Sequence, residues 1–187
     1  MVSGKGARIA AERDSVKRGA ALPGRRDGGS GVAMTAWPLP PPMLRALELA
    51  RLGEATGEVP VGAVVTRNGA IVGEGYNRPR ALHDPTAHAE VLAIRAAAEA
   101  LGNERLGECD LWVTLEPCAM CAGAIAHARI ARLYFGAADA KGGAVEHGAR
   151  VFDQPQSLHR PEVYAGIGEN EAAAMLRDFF AARRSPP

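Results

Sequence analysis

Apolar positions spaced by three and four residues alternate along this chain with short β-branched runs, a pattern that predicts helices interleaved with strands. Met43 to Thr56 reads as an amphipathic helix with Leu44, Leu47 and Leu52 among its apolar positions, ended by Gly57. Val59 to Thr66 reads as a strand, Asn68-Gly69 as a two-residue hairpin turn, and Ala70 to Tyr76 as the antiparallel partner. A loop follows over 77–85. Thr86 is placed to cap a helix over 87–101, and Leu111 to Leu115 is a short buried strand. Pro117 opens a second core helix, 118–128, and Ile130 to Phe135 is a further strand. A glycine-rich loop covers 136–150 and an irregular stretch 151–162; Val163 to Ile167 and Glu169 to Arg183 close the pattern as strand and helix. Strand–helix–strand order of this kind implies partly parallel pairing in a layered α/β sandwich.

The first 42 residues break the pattern. They carry seven Lys/Arg against three Asp/Glu in a chain of net charge +1, so the remaining body is net acidic and any nucleic-acid contact must use a local patch. Residues 1–36 lack apolar periodicity and read as a disordered basic extension, with Met34 and Met43 both plausible starts. The Trp37–Pro42 segment is a stiff lead-in. The division expected is therefore an extension over 1–42 and a folded domain over 43–187. No apolar run approaches a membrane span, and no apolar stretch follows the early charges, so no membrane partner and a cytoplasmic location are expected. Three cysteines, two of them in a C-x-x-C, argue for a reducing compartment and a metal or redox role, not a disulfide scaffold. Cys109 reads as a small core residue.

The chemistry concentrates in His88-Ala89-Glu90 and Pro117-Cys118-Ala119-Met120-Cys121. One imidazole and two thiolates suit a Zn2+ ion that keeps its fourth position open, and Glu90 is left over as a carboxylate that can move protons. Cys118 and Cys121 share one helical face. His88 and Glu90, two apart, converge only at a helix start, so both helix N-termini should aim at the metal, where their dipoles favour thiolate. H-x-E followed by P-C-x-x-C is the signature of zinc-dependent nucleobase deaminases.

From Met43 to Arg184 the chain resembles the bacterial tRNA-specific adenosine deaminases of the cytidine deaminase superfamily. The segments that carry the resemblance are Glu58–Ala63, Gly75–Pro79, His83–Glu90, Thr114–Ala124, Phe135–Lys141 and Asp178–Phe180. It implies a three-layer α/β/α fold around a mixed five-stranded sheet, and hydrolytic deamination of the wobble adenosine of a tRNA anticodon stem-loop by a homodimer. His88, Cys118 and Cys121 would bind one Zn2+ per subunit and Glu90 would be the proton shuttle. Asn77 would contact the target base or ribose, and Asp139 and Lys141 would border the RNA path. Arg183 and Arg184 would meet phosphates or simply complement a helix end. Phe179 and Phe180 would pack in core and interface, while His127 and His147 stay unassigned. The chain departs from the family pattern at Gly142, where Thr is usual, and at Leu158-His159-Arg160-Pro161, both expected to touch RNA-facing loops.

Two other readings share parts of this pattern. A deaminase of a free base would use the same zinc site without a basic rim. A zinc-stabilised RNA-binding module would need a closed four-ligand site and would leave Glu90 without a purpose.

Overall fold

The computed structural model describes residues 16–18 and 38–184. Five strands and four longer helices follow the predicted order, with bounds set by local chemistry. Strand β1 is Val16–Arg18 and helix α1 is Pro41–Ala55. The hairpin strands are β2, Gly62–Arg67, and β3, Ala70–Tyr76. A single turn of helix, α2, spans Pro79–Leu82, followed by α3, Ala89–Leu101. Strand β4, Cys109–Leu115, leads to α4, Ala119–Ala128, and β5, Arg132–Ala137. A 3-10 turn at Val151–Asp153 precedes β6, Glu162–Ala165, and α5, Glu169–Arg184.

The sheet runs in the order β1-β6-β5-β4-β2-β3, with β2 antiparallel to both its neighbours and the other pairs parallel. Helices α3 and α4 cover one face and α1 and α5 the other, the expected three layers. The sheet is the predicted mixed five-stranded one with β1 added at its edge. Within the segment read as a disordered extension, residues 16–18 thus pair in parallel with β6; the rest of that expectation, for 1–15 and 19–36, lies outside the described residues.

Three local readings are corrected. Leu44 and Leu52 are exposed, and α1 buries Met43, Ala46, Leu47, Leu49, Ala50 and Gly53 instead. The cause is close packing: a Cβ on Gly62 would lie 2.0 Å from the Ala46 carbonyl, so only small residues fit the seam. Strand β2 begins at Gly62, not Val59, because Pro60 has no N–H and the flanking carbonyls are used elsewhere: Val59 accepts from the Asn77 amide and Val61 from the Asn77 backbone. Thr86 does not cap α3. Its hydroxyl donates to Asp84, and the N-cap is His88 in extended conformation. The hairpin turn is as expected, with positive φ at Asn68 and Gly69.

One contact fixes where α3 starts. In β3, Gly75 lies under the first turn of α3, and a Cβ there would sit 2.5 Å from the Ala89 carbonyl and 2.8 Å from the Ala93 nitrogen. Both are backbone atoms, so the helix itself would have to move. Gly75→Ala is expected to lower stability by about 1–3 kcal/mol, seen as a lower urea midpoint; an unchanged midpoint would show that α3 is not held at this distance.

Candidate active site

Because β2 is antiparallel to β3 and β4, the C-terminal ends of β3, β4, β5 and β6 all lie on one edge of the sheet. Loops following parallel strands at that edge are where α/β folds place their sites. Asn77 follows β3, Glu116 to Cys118 follow β4, and Asp139 to Lys141 follow β5.

His88 and Cys118 are the N-caps of α3 and α4, both with extended backbone, and Cys121 sits one turn into α4. The two helix starts therefore face each other. His88 Nδ1 lies 3.7 Å from Cys118 Sγ and 3.5 Å from Cys121 Sγ, and the three donor atoms all fall within 4.8 Å of one another. A tetrahedral zinc with bonds of about 2.3 Å to sulfur and about 2.0–2.1 Å to nitrogen separates these donors by about 3.6 Å. The two separations from His88 to the thiols already match edges of that tetrahedron.

The electrostatics agree with a metal site. The Cys121 thiol and the His88 ring, both hydrogen-bonded to Cys118, hold the Cys118 thiol down to about 4. Cys121 is pushed up by the Cys118 sulfur and by burial, so the pair shares one proton that a metal would displace. Hydrogen bonding to Cys118 raises His88. Glu90 is buried in the first turn of α3, and burial raises its carboxyl above the usual range. A carboxyl poised upward beside the donor set is suited to taking and returning a proton near neutral pH.

Asn77 is nearly buried and is used within the protein. Its Oδ1 accepts the Ala89 N–H at 2.9 Å, so it supplies from outside the cap that His88, turned toward the thiols, does not provide. Asp139 is half-buried; its carboxylate accepts the N–H groups of Lys141 and Gly142. A Cβ on Gly142 would lie 2.9 Å from Asp139 Oδ2, so the glycine found here keeps that tight turn unobstructed. Lys141 is exposed. Phe179 is buried and Phe180 is 40% exposed. The Arg183 guanidinium stacks on Phe179 and donates to the Gly57 carbonyl, which also accepts from Arg80. Cys109 is a buried core residue, as expected.

The segment Leu158–Pro161 stands elsewhere than expected. It leads into β6 beside the start of β5, on the sheet edge opposite Cys118. His159 Nε2 donates to the Ile130 carbonyl, Arg160 pairs with Asp153, and Arg129 donates to the Leu158 carbonyl. This departure belongs to the scaffold.

Sequence reasoning missed two buried carboxylates. Glu58 accepts the Arg80 and Ala81 N–H groups and holds the turn after Asn77. Glu116 accepts N–H groups from Asp139, Val145, Glu146 and His147 and contacts the His147 ring at 2.7 Å. Burial alone would raise Glu116, but these donors outweigh it and hold its carboxyl below the ordinary range. Both residues precede a proline-containing turn, but nothing in that spacing marks a glutamate as buried.

Residues 42–137 match the zinc-binding region of the cytidine and deoxycytidylate deaminases. The chain is 55% identical over 139 residues to a tRNA-specific adenosine deaminase of Agrobacterium fabrum, covering 74% of this chain and 91% of that one. It is 49% identical over 143 residues to one of Haemophilus influenzae, covering 76% and 83%. A structure solved in a study of A-to-I editing by tRNA:A34 deaminases at the wobble position of transfer RNA superposes with a TM-score of 0.71. That structure shares 55% identity over 72% of this chain and 98% of that one. A guanine deaminase from Nitrosomonas europaea superposes with a TM-score of 0.61 at 25% identity, covering 82% and 100%. The His/Cys/Cys donor set, in a region shared with zinc-binding deaminases, identifies Zn2+ as the cofactor. The chain belongs to the zinc-dependent cytidine deaminase superfamily and, within it, to the family of tRNA-specific adenosine deaminases.

Proposed function

We propose that this chain hydrolyses the wobble adenosine of a tRNA anticodon to inosine, with residues 43–187 as the deaminase domain. The observation that carries the reading is the close His88–Cys118–Cys121 donor set with Glu90 buried beside it, in a chain so similar to tRNA-specific adenosine deaminases. His88, Cys118 and Cys121 hold the zinc. When bound, zinc acts as a Lewis acid that makes a water acidic enough to attack at neutral pH. Glu90 would take a proton from the attacking water and deliver it to the adenine ring nitrogen next to the amine-bearing carbon as the C–O bond forms, then pass the new hydroxyl's proton to the amine, whose C–N bond breaks to release ammonia. Its raised pKa suits both directions of transfer.

The surroundings favour RNA over a free base. Asn77, whose amide oxygen accepts from Ala89 and whose amide nitrogen donates to Val59, keeps one N–H for the base or ribose, and Asp139 and Lys141 border the strand's path. Arg80 and Arg183 bring two guanidinium groups to one carbonyl, and neither forms an ion pair among the described residues. Such a pair is suited to backbone phosphate, and Arg184 lies next along the same helix end. A free purine would leave these charges without a use.

The protein acts as a homodimer in this reading. On α4, Met120, Gly123, Ala124 and His127 recur at helical spacing and all reach the surface, a small, mostly apolar stripe suited to another copy of the chain. No helix among the described residues is long and apolar enough to cross a membrane. A tRNA substrate would place the enzyme in the cytoplasm.

Three outcomes are expected. The zinc-loaded protein should form inosine in an anticodon stem-loop whose first anticodon base is A, and leave free adenosine, cytosine and guanine unchanged; deamination of a free base alone would overturn the substrate. Glu90→Gln should keep one zinc per chain while turnover falls by at least about 10²–10⁴-fold, measured by metal analysis beside the inosine assay; an active variant would remove Glu90 from its role. Gly123→Arg should convert a sedimenting dimer to monomer at micromolar concentration; a dimer that persists would place the interface elsewhere.

A further inference from the structure

The loop after β5 carries the two residues assigned to the RNA path, yet it has no helix or strand to hold it. Beside a few backbone contacts, one side chain gathers it. Glu116 leaves the end of β4, and its carboxylate is fully shielded from solvent. Oε1 accepts three successive backbone N–H groups, from Val145 at 3.1 Å, Glu146 at 2.8 Å and His147 at 3.0 Å. Oε2 accepts the Asp139 N–H at 3.0 Å and meets His147 Nδ1 at 2.7 Å. Consecutive N–H groups curled around one oxygen form an anion-binding nest, and a buried carboxylate is tolerated only where such donors replace water.

Both ends of the loop are therefore referenced to one group, and that group is two residues from a metal ligand on rigid backbone. The Glu116 N–H donates to Ala137, Ala144 donates to Pro117, and Gly143 bridges to Cys118. The space is filled: a Cβ on Gly143 would lie 2.4 Å from Glu116 Cδ and 2.5 Å from the Asp139 carbonyl. Any shift of the carboxylate moves Asp139 and Lys141 relative to the zinc site.

We propose that Glu116 is the positioning residue for the RNA-facing loop: it gathers the backbone of residues 139 and 145–147 around one buried carboxylate and so sets the grip on the anticodon strand without touching the reacting atoms. The inference rests on the tRNA reading of the site.

The test compares wild type, Glu116→Gln and Gly143→Ala as zinc-loaded full chains. Gln at 116 replaces one acceptor oxygen with an amide that faces N–H donors, and Ala at 143 displaces the carboxylate from outside. Hydrogen bonds to a charged acceptor are worth enough that KM for the anticodon stem-loop should rise about tenfold or more in each. Zinc content should hold at one per chain, and kcat should stay within about threefold. Hydrogen exchange should show the amides of 139 and 145–147 opening at least about tenfold faster, with α3 and α4 protected as before. A KM that stays put while those amides open would overturn the proposal, as would kcat and zinc falling together, which would make Glu116 a prop of the metal site. If Glu116→Gln does not fold, His147→Ala removes one of the five donors and should raise KM about threefold at full zinc occupancy; an unchanged KM there, with the ring contact gone, sinks it equally. A wild type that makes no inosine would fail the tRNA reading instead, with the exchange data still reporting whether Glu116 holds the loop.

Discussion

Two helix starts brought face to face govern the architecture around the site. A tetrahedral ion asks three donors to stand about 3.6 Å apart, and here the donors come from segments thirty residues apart in sequence. His88 and Cys118 deliver their side chains from extended N-cap positions, and Cys121 joins them from the first turn of α4, where side chains lean toward the helix start. That choice has a cost. Neither side chain is free to cap its own helix, because both turn toward the metal. Asn77 supplies the missing acceptor for α3 from the neighbouring loop. The close seam at Gly75 holds α3 against β3 at the distance where this exchange works. The positive ends of both helices then bear on the thiols, which favours the charged form a metal needs.

Beyond the ion, the rim is built on buried negative charge. Glu58 and Glu116 sit beneath the loops after β3 and β5, each replacing the water that loop N–H groups would otherwise require. A carboxylate can organise a loop in this way because one oxygen accepts several donors and prefers short, charge-assisted bonds. The result is a pocket edge made of irregular chain that is nonetheless fixed. It also explains why glycine recurs there: Gly142 and Gly143 lie where a side chain would strike Asp139 or Glu116.

The convergence of His88, Cys118 and Cys121, with Glu90 buried nearby, was legible because the identity and spacing of these residues are local signals. Helices α3, α4 and α5 and the hairpin were legible because periodicity and Asn68-Gly69 are local signals. What failed was relational. The buried side of α1 was set by how closely β2 approaches, so alanines displaced Leu44 and Leu52 from the seam. The cap expected from Thr86 comes instead from Asn77, twelve residues before Ala89, and nothing local marks Glu116 as the acceptor of a distant loop's N–H groups. Leu158–Pro161 looked like part of the RNA face, but only the strand order reveals that it enters β6 at the far edge.

The same topology bears on why a small body can handle a large substrate. A target base must leave its stack to reach a buried carboxylate and ion, at a cost of a few kcal/mol that an anticodon loop keeps small. Contacts away from the reacting carbon have to offset that cost, and they must be rigid to do so without ordering a loop at each encounter. Strand ends converging on one edge put the base site, the Asp139–Lys141 turn and the Arg80–Arg183 pair on a common side of the molecule. Arg80 is itself fixed through the turn that Glu58 holds, and Arg183 by its stack on Phe179. Two anchored cations near a preformed rim offer phosphate binding at little entropic cost, so the body as a whole can stay net acidic. In the proposed reading, selectivity for a base within a folded strand, over the same base free in solution, follows from where these charges stand.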